Sequence, residues 1–410
     1  MLFIKGSVTC DSSNHNPEMS VLELAPKSKQ QPRKKSAFRE WFDSILFAVV
    51  AATIIRWLFF SAFVIPTPSM ENSLLVGDYL FVSRMHYGTT TPITPLQVPL
   101  THQTIWGTQI PSYLDWIQLP QFRLPGFTNV KNGDVVVFNL PVEHPDSYQK
   151  YSNVLPDLHP HPADLRSNYI KRCVAIAGDK LEIRGGQVFV NGKPMQNPPR
   201  LQNEYFVSTT TQVNEENIFH KNGIADYAQF TETFGDSITA NDQFGYIVKT
   251  TSDIVAKLKT YDFVKRIDPI LLDKGLKEPF LFPGAEQLDW NKDNFGPIII
   301  PKEGTTVQLN EINSALYGEV IKNYDGNSDI AFENGRLTQR GKILETYTFK
   351  QDYYFMMGDN RHDSADSRYW GFVPKDHIVG KAVFVWMSID PNPTSFLRKI
   401  RWDRIFRIIG

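Results

Sequence analysis

The chain has 410 residues, 41% of them hydrophobic, and a formal net charge of -1, which is enough apolar material for one large domain or two modest ones. A near-neutral balance excludes nucleic acid as the main partner, because binding phosphates needs a basic surface. The two cysteines, Cys10 and Cys173, make no disulfide framework.

Residues 1–43 read as a polar, basic tail, rich in Ser, Asn, Lys and Pro as far as Lys35 and unable to bury a core. Residues 44–65, from Ser44 to Ile65, are nearly all apolar, the length a bilayer demands. A buried core helix and a cleaved signal peptide are the alternatives, but the stretch is apolar on all faces and longer than a signal-peptide core. Arg33, Lys34, Lys35 and Arg39 crowd one end only. That asymmetry predicts a single-pass anchor with a cytoplasmic N-terminus and everything after Ile65 outside the cytoplasmic membrane. Arg56, inside the span, must snorkel or pair.

Beyond the anchor the chain reads mostly as strands. Val135–Phe138, Lys180–Ile183, Gln187–Val190 and Ala382–Trp386 are short β-branched or aromatic runs. Asn191-Gly192 and Asn334-Gly335 signal hairpin turns, and Gly-Asp pairs at 77–78, 133–134, 178–179 and 358–359 suit tight turns. Helical periodicity marks 252–264 and 310–323. Residues 88–130, rich in Thr, Pro and Trp, read as a long loop or lid near the membrane. The uneven, polar centre at 194–350 reads as one inserted subdomain. Residues 395–410 mix basic and apolar residues and read as a basic C-terminal helix, packed or lying on the membrane surface.

The nucleophile elbow Gly-x-Ser-x-Gly is absent. Ser147 to Lys150 matches Ser-x-x-Lys, but it lies in a polar loop with no Lys-Thr-Gly elsewhere, so it reads as coincidence. His159 and His161 sit in a Pro-rich loop with no zinc-ligand spacing. Three segments remain. Phe63 to Asp78 follows the anchor directly and holds Ser69, by itself compatible with an ordinary turn serine. Asn168 to Asp179 places Lys171 in a strand-like apolar run. A strand lysine is usually solvated, but one facing an apolar site loses its charge and can act as a general base towards a serine. Gly358 to Pro374 is denser in polar groups than a solvated turn needs. Its Asp359, Asp366, Arg361 and Arg368 can satisfy one another, as in a self-capping loop, and Ser364 could orient a nearby lysine amine.

In these segments the chain resembles bacterial type I signal peptidases, the serine–lysine leader peptidases. The family's motifs appear in order along nearly all of it: the apolar span; Pro66 to Asp78; Gly-Asp-Val-Val-Val-Phe at 133–138; Tyr-Ile-Lys-Arg through Asn-Gly at 169–192; and Gly-Asp-Asn-Arg-x-x-Ser-x-Asp-Ser-Arg-x-Trp-Gly-x-Val-Pro at 358–374. The resemblance implies a mostly β fold, with an N-terminal transmembrane helix, a β-rich catalytic domain and an inserted α+β subdomain. Catalytic core would then occupy 66–193 and 351–394. It further implies Ser69 as nucleophile, Lys171 as general base, Ser364 holding the lysine amine, and Thr67 joining the Ser69 N–H in the oxyanion hole. Asp359, Asp366 and Arg368 would brace the loop, while Phe63, Ile65 and Ile170 would line shallow pockets for small side chains. The substrates implied are exported preproteins carrying signal peptides, cut after small-x-small sites. Membrane lipid and the secretion translocon are the other implied partners; no metal or cofactor is called for. Three departures stand out: Asn72 replaces the family's proline, Pro68 stands where many members have glycine, and Ala177 interrupts the usual Pro-Gly-Asp. The long 88–130 and 194–350 segments resemble the layout of enzymes from the Bacteroidota.

Overall fold

The computed structural model describes residues 36–145, 148–155, 158–230, 244–333, 335–393 and 399–410. Most of the N-terminal tail, Ser147, Asn334 and the start of the C-terminal segment lie outside these residues. By contact density the chain divides at Ala48.

The apolar helix α1 runs Ala37–Leu58 and buries none of its residues. It is the one helix among the described residues long and apolar enough to span a bilayer. At 22 residues and 1.5 Å per residue it is ~33 Å long, matching the hydrocarbon core. Both ends fall about seven residues before the expected 44–65. Phe38, Trp41 and Phe42 extend the apolar surface at the start. At the other end Phe60–Val64 is a strand, β1, with alternating burial, so the run of apolar residues changes from helical to two-residue periodicity inside what reads as one span.

The main sheet contains β1, β2 (Asp78–Ser83), β3 (Val135–Asn139), β4 (Asn168–Ala175), β5 (Tyr353–Met357), β6 (Val373–Pro374), β7 (Ile378–Ser388) and β8 (Arg407–Ile408). Its order is β1-β2-β7-β3-β4-β5-β6, with β8 on β7. All of these pairings are antiparallel. β3 and β5 are buried throughout, as strands covered on both faces must be. Val135 and Val137 join Ile65, Met70, Leu80 and Val385 in one cluster; Val136 and Phe138 join Cys173, Met356 and Trp370 in another. The hairpin after Gln187–Val190 turns through Asn191 and Gly192 at φ 53° and 78°, which only such residues adopt readily.

The segment expected as one insert at 194–350 is two structures. Residues 202–230 and 244–269 form a four-stranded sheet with helix Ser252–Leu258 and its own core of Val207, Phe219, Tyr246, Val248 and Leu258. Residues 281–349 instead share one core with β4 and β5, where Phe295, Ile298 and Leu316 meet Val174, Phe355 and Met357. The difference lies in where the apolar side chains find cover, which polarity averaged along the chain does not report. The long 88–130 segment is ordered by bridges Thr90↔Arg123, Gln97↔Tyr113 and Thr104↔Pro111.

The C-terminal segment is not a helix over its described part. Trp402–Arg404 is a single 3-10 turn and β8 pairs with β7. Two of its basic residues, Arg401 and Arg404, are engaged by partners across the fold rather than arrayed on a helix face. Arg401 donates to the Val76 carbonyl at 2.9 Å. Arg404 forks onto Asp78, with Nε–Oδ1 3.0 Å and Nη2–Oδ2 2.5 Å, both residues being buried. Removing one partner of a buried pair leaves an uncompensated charge. Arg404→Ala should therefore cost about 3–5 kcal/mol, read as a lowered melting temperature in detergent; a loss below about 1 kcal/mol, the range of an exposed pair, would show that the pair holds nothing in place.

Candidate active site

The chain leaves β1, passes Ile65 and enters a short 3-10 turn, Pro68–Met70. Pro68 suits the first turn of a helix, where no N–H is required. Met70 and Leu74 are fully buried in the cluster under β2 and β3, and these two apolar plugs set the height of Ser69 above the sheet. Ser69 is itself buried, at 9% exposure. Its N–H sits at the start of the turn and donates to no acceptor among the described residues. Thr67, exposed and in extended conformation, makes no side-chain cap to that turn.

Lys171 lies on β4, opposite Val136 of β3, and is 2% exposed. Its Nζ is 2.5 Å from Ser69 Oγ and 5.5 Å from the Tyr169 ring centre. Burial pushes the amine from 10.5 down to about 8, against the opposing pull of Asp366 and Asp359. Those carboxylates offset burial only in part, each being held by an arginine. Arg172 binds Asp359 through two bonds of 2.8 and 2.7 Å. Arg368 binds Asp366 through bonds of 2.9 and 2.8 Å. Asp366 is fully buried; burial raises its carboxyl, and Arg368 with two backbone N–H donors more than reverses this, leaving it below the usual carboxylate range.

The loop after β5 is tied to the serine turn by its backbone. Asn360 N donates to the Ser69 carbonyl at 3.1 Å, and its Nδ2 to the Pro68 carbonyl at 3.3 Å. Asp359 also accepts from Ser73 Oγ at 2.6 Å. Gly358 is needed for closeness rather than for φ, since a Cβ there would collide with Ser364 Oγ and the Ser69 carbonyl.

The structure therefore brings Ser69, Lys171, Asp359, Ser364, Asp366 and Arg368 into one neighbourhood. Two expectations are corrected. Asp359 pairs with Arg172 on the neighbouring strand and not with an arginine of its own loop, because β5 sets it beside β4 in the Met357↔Arg172 register. Ser364 makes no hydrogen bond to Lys171 here; its Oγ lies over Gly358 and reaches only the Ala365 carbonyl, at 3.5 Å. Ile65 lies buried in the cluster around Met70 and Val137, and Phe63 and Ile170 pack against that cluster. Arg172, Ser73, Asn360, His362 and Asp293 were not singled out by the sequence. His362 accepts from Glu204 N at 3.2 Å through Nδ1 and meets Asp293 at 3.0 Å through Nε2. Arg172, adjacent to Lys171, and Asn360, adjacent to Asp359, each stand in a matched motif that pointed to them. Elsewhere, Lys150 forms a surface pair with Glu319, His161 Nδ1 bonds the Tyr113 hydroxyl, and Cys173 is fully buried with its thiol pushed up by burial.

Comparison with known proteins gives one consistent answer. The profile of the family described as signal peptidase, peptidase S26, matches residues 38–244 and 299–387. Curated relatives named signal peptidase I are similar over most of the chain. That of Buchnera aphidicola subsp. Acyrthosiphon pisum is 24% identical over 376 residues, covering 92% of this chain and 83% of its own. Those of Haemophilus influenzae and Helicobacter pylori are 22% and 24% identical, covering 95% and 88% of this chain and 80% and 90% of theirs.

One departure from the family pattern has a conformational reason. Asn72 has φ 66°, a left-handed value that proline, fixed near −65°, does not reach. Its carbonyl accepts from Arg200 at 3.3 Å. Asn72→Gly should preserve stability within about 1 kcal/mol, whereas Asn72→Pro should cost about 1–3 kcal/mol of strain and displace Ser69. Thermal unfolding and peptide cleavage check both; a Pro variant as stable and active as wild type would show that the positive φ is dispensable.

Proposed function

The chain belongs to the signal peptidase family, peptidase S26, and acts as a serine endopeptidase that removes signal peptides from preproteins; we infer that Ser69 and Lys171 carry the reaction. The 2.5 Å contact between a buried lysine amine and a serine hydroxyl is the observation behind this reading. An amine lowered to about 8 is neutral in a usable fraction near neutral pH, and a neutral amine has the lone pair a general base needs.

The leader's extended end lies along β1, an edge strand whose outer side is unpaired within the sheet, so backbone pairing supplies binding. Small side chains fit against Phe63, Ile65 and Ile170. Ser69 Oγ–H gives its proton to Lys171 Nζ while Oγ attacks the scissile carbonyl carbon. The oxyanion is met by the Ser69 N–H and the Thr67 hydroxyl, both without a hydrogen-bond partner among the described residues. The lysine ammonium then protonates the leaving amine, the C–N bond breaks, and an ester to Ser69 remains. Water, deprotonated by the neutral lysine, hydrolyses it. Asp359 and Asp366, each paired to its arginine, brace the loop without charging the lysine. Ser364 acts through position, packed over Gly358 next to the Ser69 carbonyl.

The N-terminal helix makes this a membrane-anchored enzyme. Its sidedness follows from the basic residues before it: catalytic domain outside the cytoplasmic membrane, tail inside. With α1 ending at Leu58 and Ser69 only eleven residues later, the site stays close to the bilayer, where an inserted leader presents its cleavage point. The secretion translocon, which delivers such leaders, fits as a transient neighbour.

Detergent-solubilised protein should cut a preprotein after the second small residue of an Ala-x-Ala site, located by mass spectrometry. Ser69→Ala and Lys171→Met should each lose on the order of 10⁴-fold or more; variants that cut like wild type would remove both residues from the reaction. The rate should rise about tenfold per pH unit below 8 and level off above it, because the active amine is the deprotonated form. A flat profile from pH 6 to 9 would exclude Lys171 as base. Thr67→Val should lower kcat by about 100-fold or more with KM little changed, and an unchanged kcat would remove Thr67 from the oxyanion hole.

A further inference from the structure

The 88–130 segment has no role in the chemistry above. It is a flap: the chain runs outward over 90–105 and returns over 110–123. Backbone bonds Thr91 N to Phe122 O (2.8 Å), Leu119 N to Ile93 O (2.8 Å), Leu114 N to Leu96 O (2.9 Å) and Ile105 N to Ile110 O (2.9 Å) tie its two arms together. Its surface is unusual for a water-facing loop. Trp116 is 82% exposed, Phe127 77%, Trp106 70%, Phe122 63% and Ile110 60%. Between 88 and 130 the only acidic residue is Asp115 and the only Lys or Arg is Arg123. Arg123 is spent internally on the carbonyls of Gly88, Lys375 and Ile378.

The flap is fastened to the last turn of α1. Trp57 Nε1 donates to the Thr90 carbonyl at 2.9 Å, Arg56 to the Leu100 carbonyl at 3.2 Å, and Thr89 Oγ1 to the Leu58 carbonyl at 2.8 Å. A helix that spans the hydrocarbon core ends at the headgroup layer, so these bonds hold the flap at that depth. Tryptophan favours this layer, with its ring in apolar surroundings and its N–H in water. The six prolines of the segment and its irregular backbone leave groups that pure hydrocarbon could not satisfy but headgroups and water can. An exposed apolar patch marks an interaction surface, and lack of charge combined with attachment at the anchor's end selects the bilayer over a soluble partner.

We propose that the 88–130 flap is seated in the interfacial layer of the membrane, with phospholipid as its occupant, and so fixes the catalytic domain's orientation on the bilayer. The proposal rests on the reading of α1 as the membrane span.

The test uses the full chain carrying Cys10→Ser, with Trp106→Cys or Trp116→Cys labelled by an environment-sensitive fluorophore. Ile312→Cys, on the helix Glu311–Glu319, is the control. Each is reconstituted into phosphatidylcholine–phosphatidylglycerol vesicles with no other protein. Labels at 106 and 116 should emit to the blue of the control and be quenched several-fold more strongly by a shallow lipid-borne nitroxide, equally at low and high protein-to-lipid ratio. As a second readout, brominated phospholipid should quench wild-type tryptophan more than the Trp106→Phe, Trp116→Phe double variant. Labels that read water, with no difference in bromine quenching, overturn the proposal, including in favour of a protein partner absent from the vesicles. Blue-shifted emission that appears only at high protein density overturns it in favour of a second copy. Cleavage of a soluble Ala-x-Ala peptide by the same samples keeps the two readings apart. Active enzyme with water-exposed labels sinks the flap alone, whereas lipid-seated labels on an enzyme that cuts nothing sink the peptidase assignment and leave the flap standing.

Discussion

A lysine amine removed from water, with each nearby carboxylate already bound by an arginine, is the constraint on which the rest of the site depends. An ammonium in that position would pay a desolvation penalty with no counter-ion to offset it. Two features remove the counter-ion. β4 supplies Arg172 next to Lys171, where it captures Asp359, and the loop after β5 supplies Arg368, which captures Asp366. The amine is thus lowered by burial, while the two carboxylates that pull the other way are held in pairings that do not include the lysine. A vacated Asp359 or Asp366 would offer it a partner and favour its charged form.

Such balance needs rigidity, because a buried group shifted by about an ångström gains or loses its neighbours. The loop at 358–368 is held from several sides. Its backbone meets the serine turn through Asn360 and forms a parallel bridge to Gln202 at the start of the 202–269 sheet. His362 links that sheet to Asp293 in the part sharing its core with β4 and β5. The added segments therefore contact the loop bearing Asp359 and Asp366 directly, and are not appendages at the far edge.

Motif residues were legible because each has a local reason for its identity. The apolar run of β3, the Asn191-Gly192 turn and the polar density of 358–374 reflect neighbours along the chain, and each appears where its pattern placed it. Legibility failed where a residue's neighbours come from elsewhere in the chain. Phe60–Val64 is as apolar as the helix before it, and only the partner β2 makes it a strand. Arg401 and Arg404 look like the basic face of a helix until Val76 and Asp78 are known to lie opposite. Residues 281–349 look like the rest of an insert until Phe295 and Leu316 are found in the core with β5. Ser364 has the identity its motif predicts, but its hydroxyl lies over Gly358 and reaches the Ala365 carbonyl, which only the folded loop decides.

The sequence by itself determined an apolar helix long enough to span a bilayer, the β-rich character and the polar density of the 358–374 loop, because apolar periodicity and turn chemistry are properties of short stretches; the serine and the lysine stood out through the motifs around them. Only the tertiary structure decided that Lys171 is buried and 2.5 Å from Ser69, that Asp359 belongs to Arg172, and that Asn72 takes a left-handed turn. Charge state and contact distance depend on which distant segments exclude water and supply partners, and pairing across 102 residues of chain between Ser69 and Lys171 is fixed by sheet register, not by local pattern.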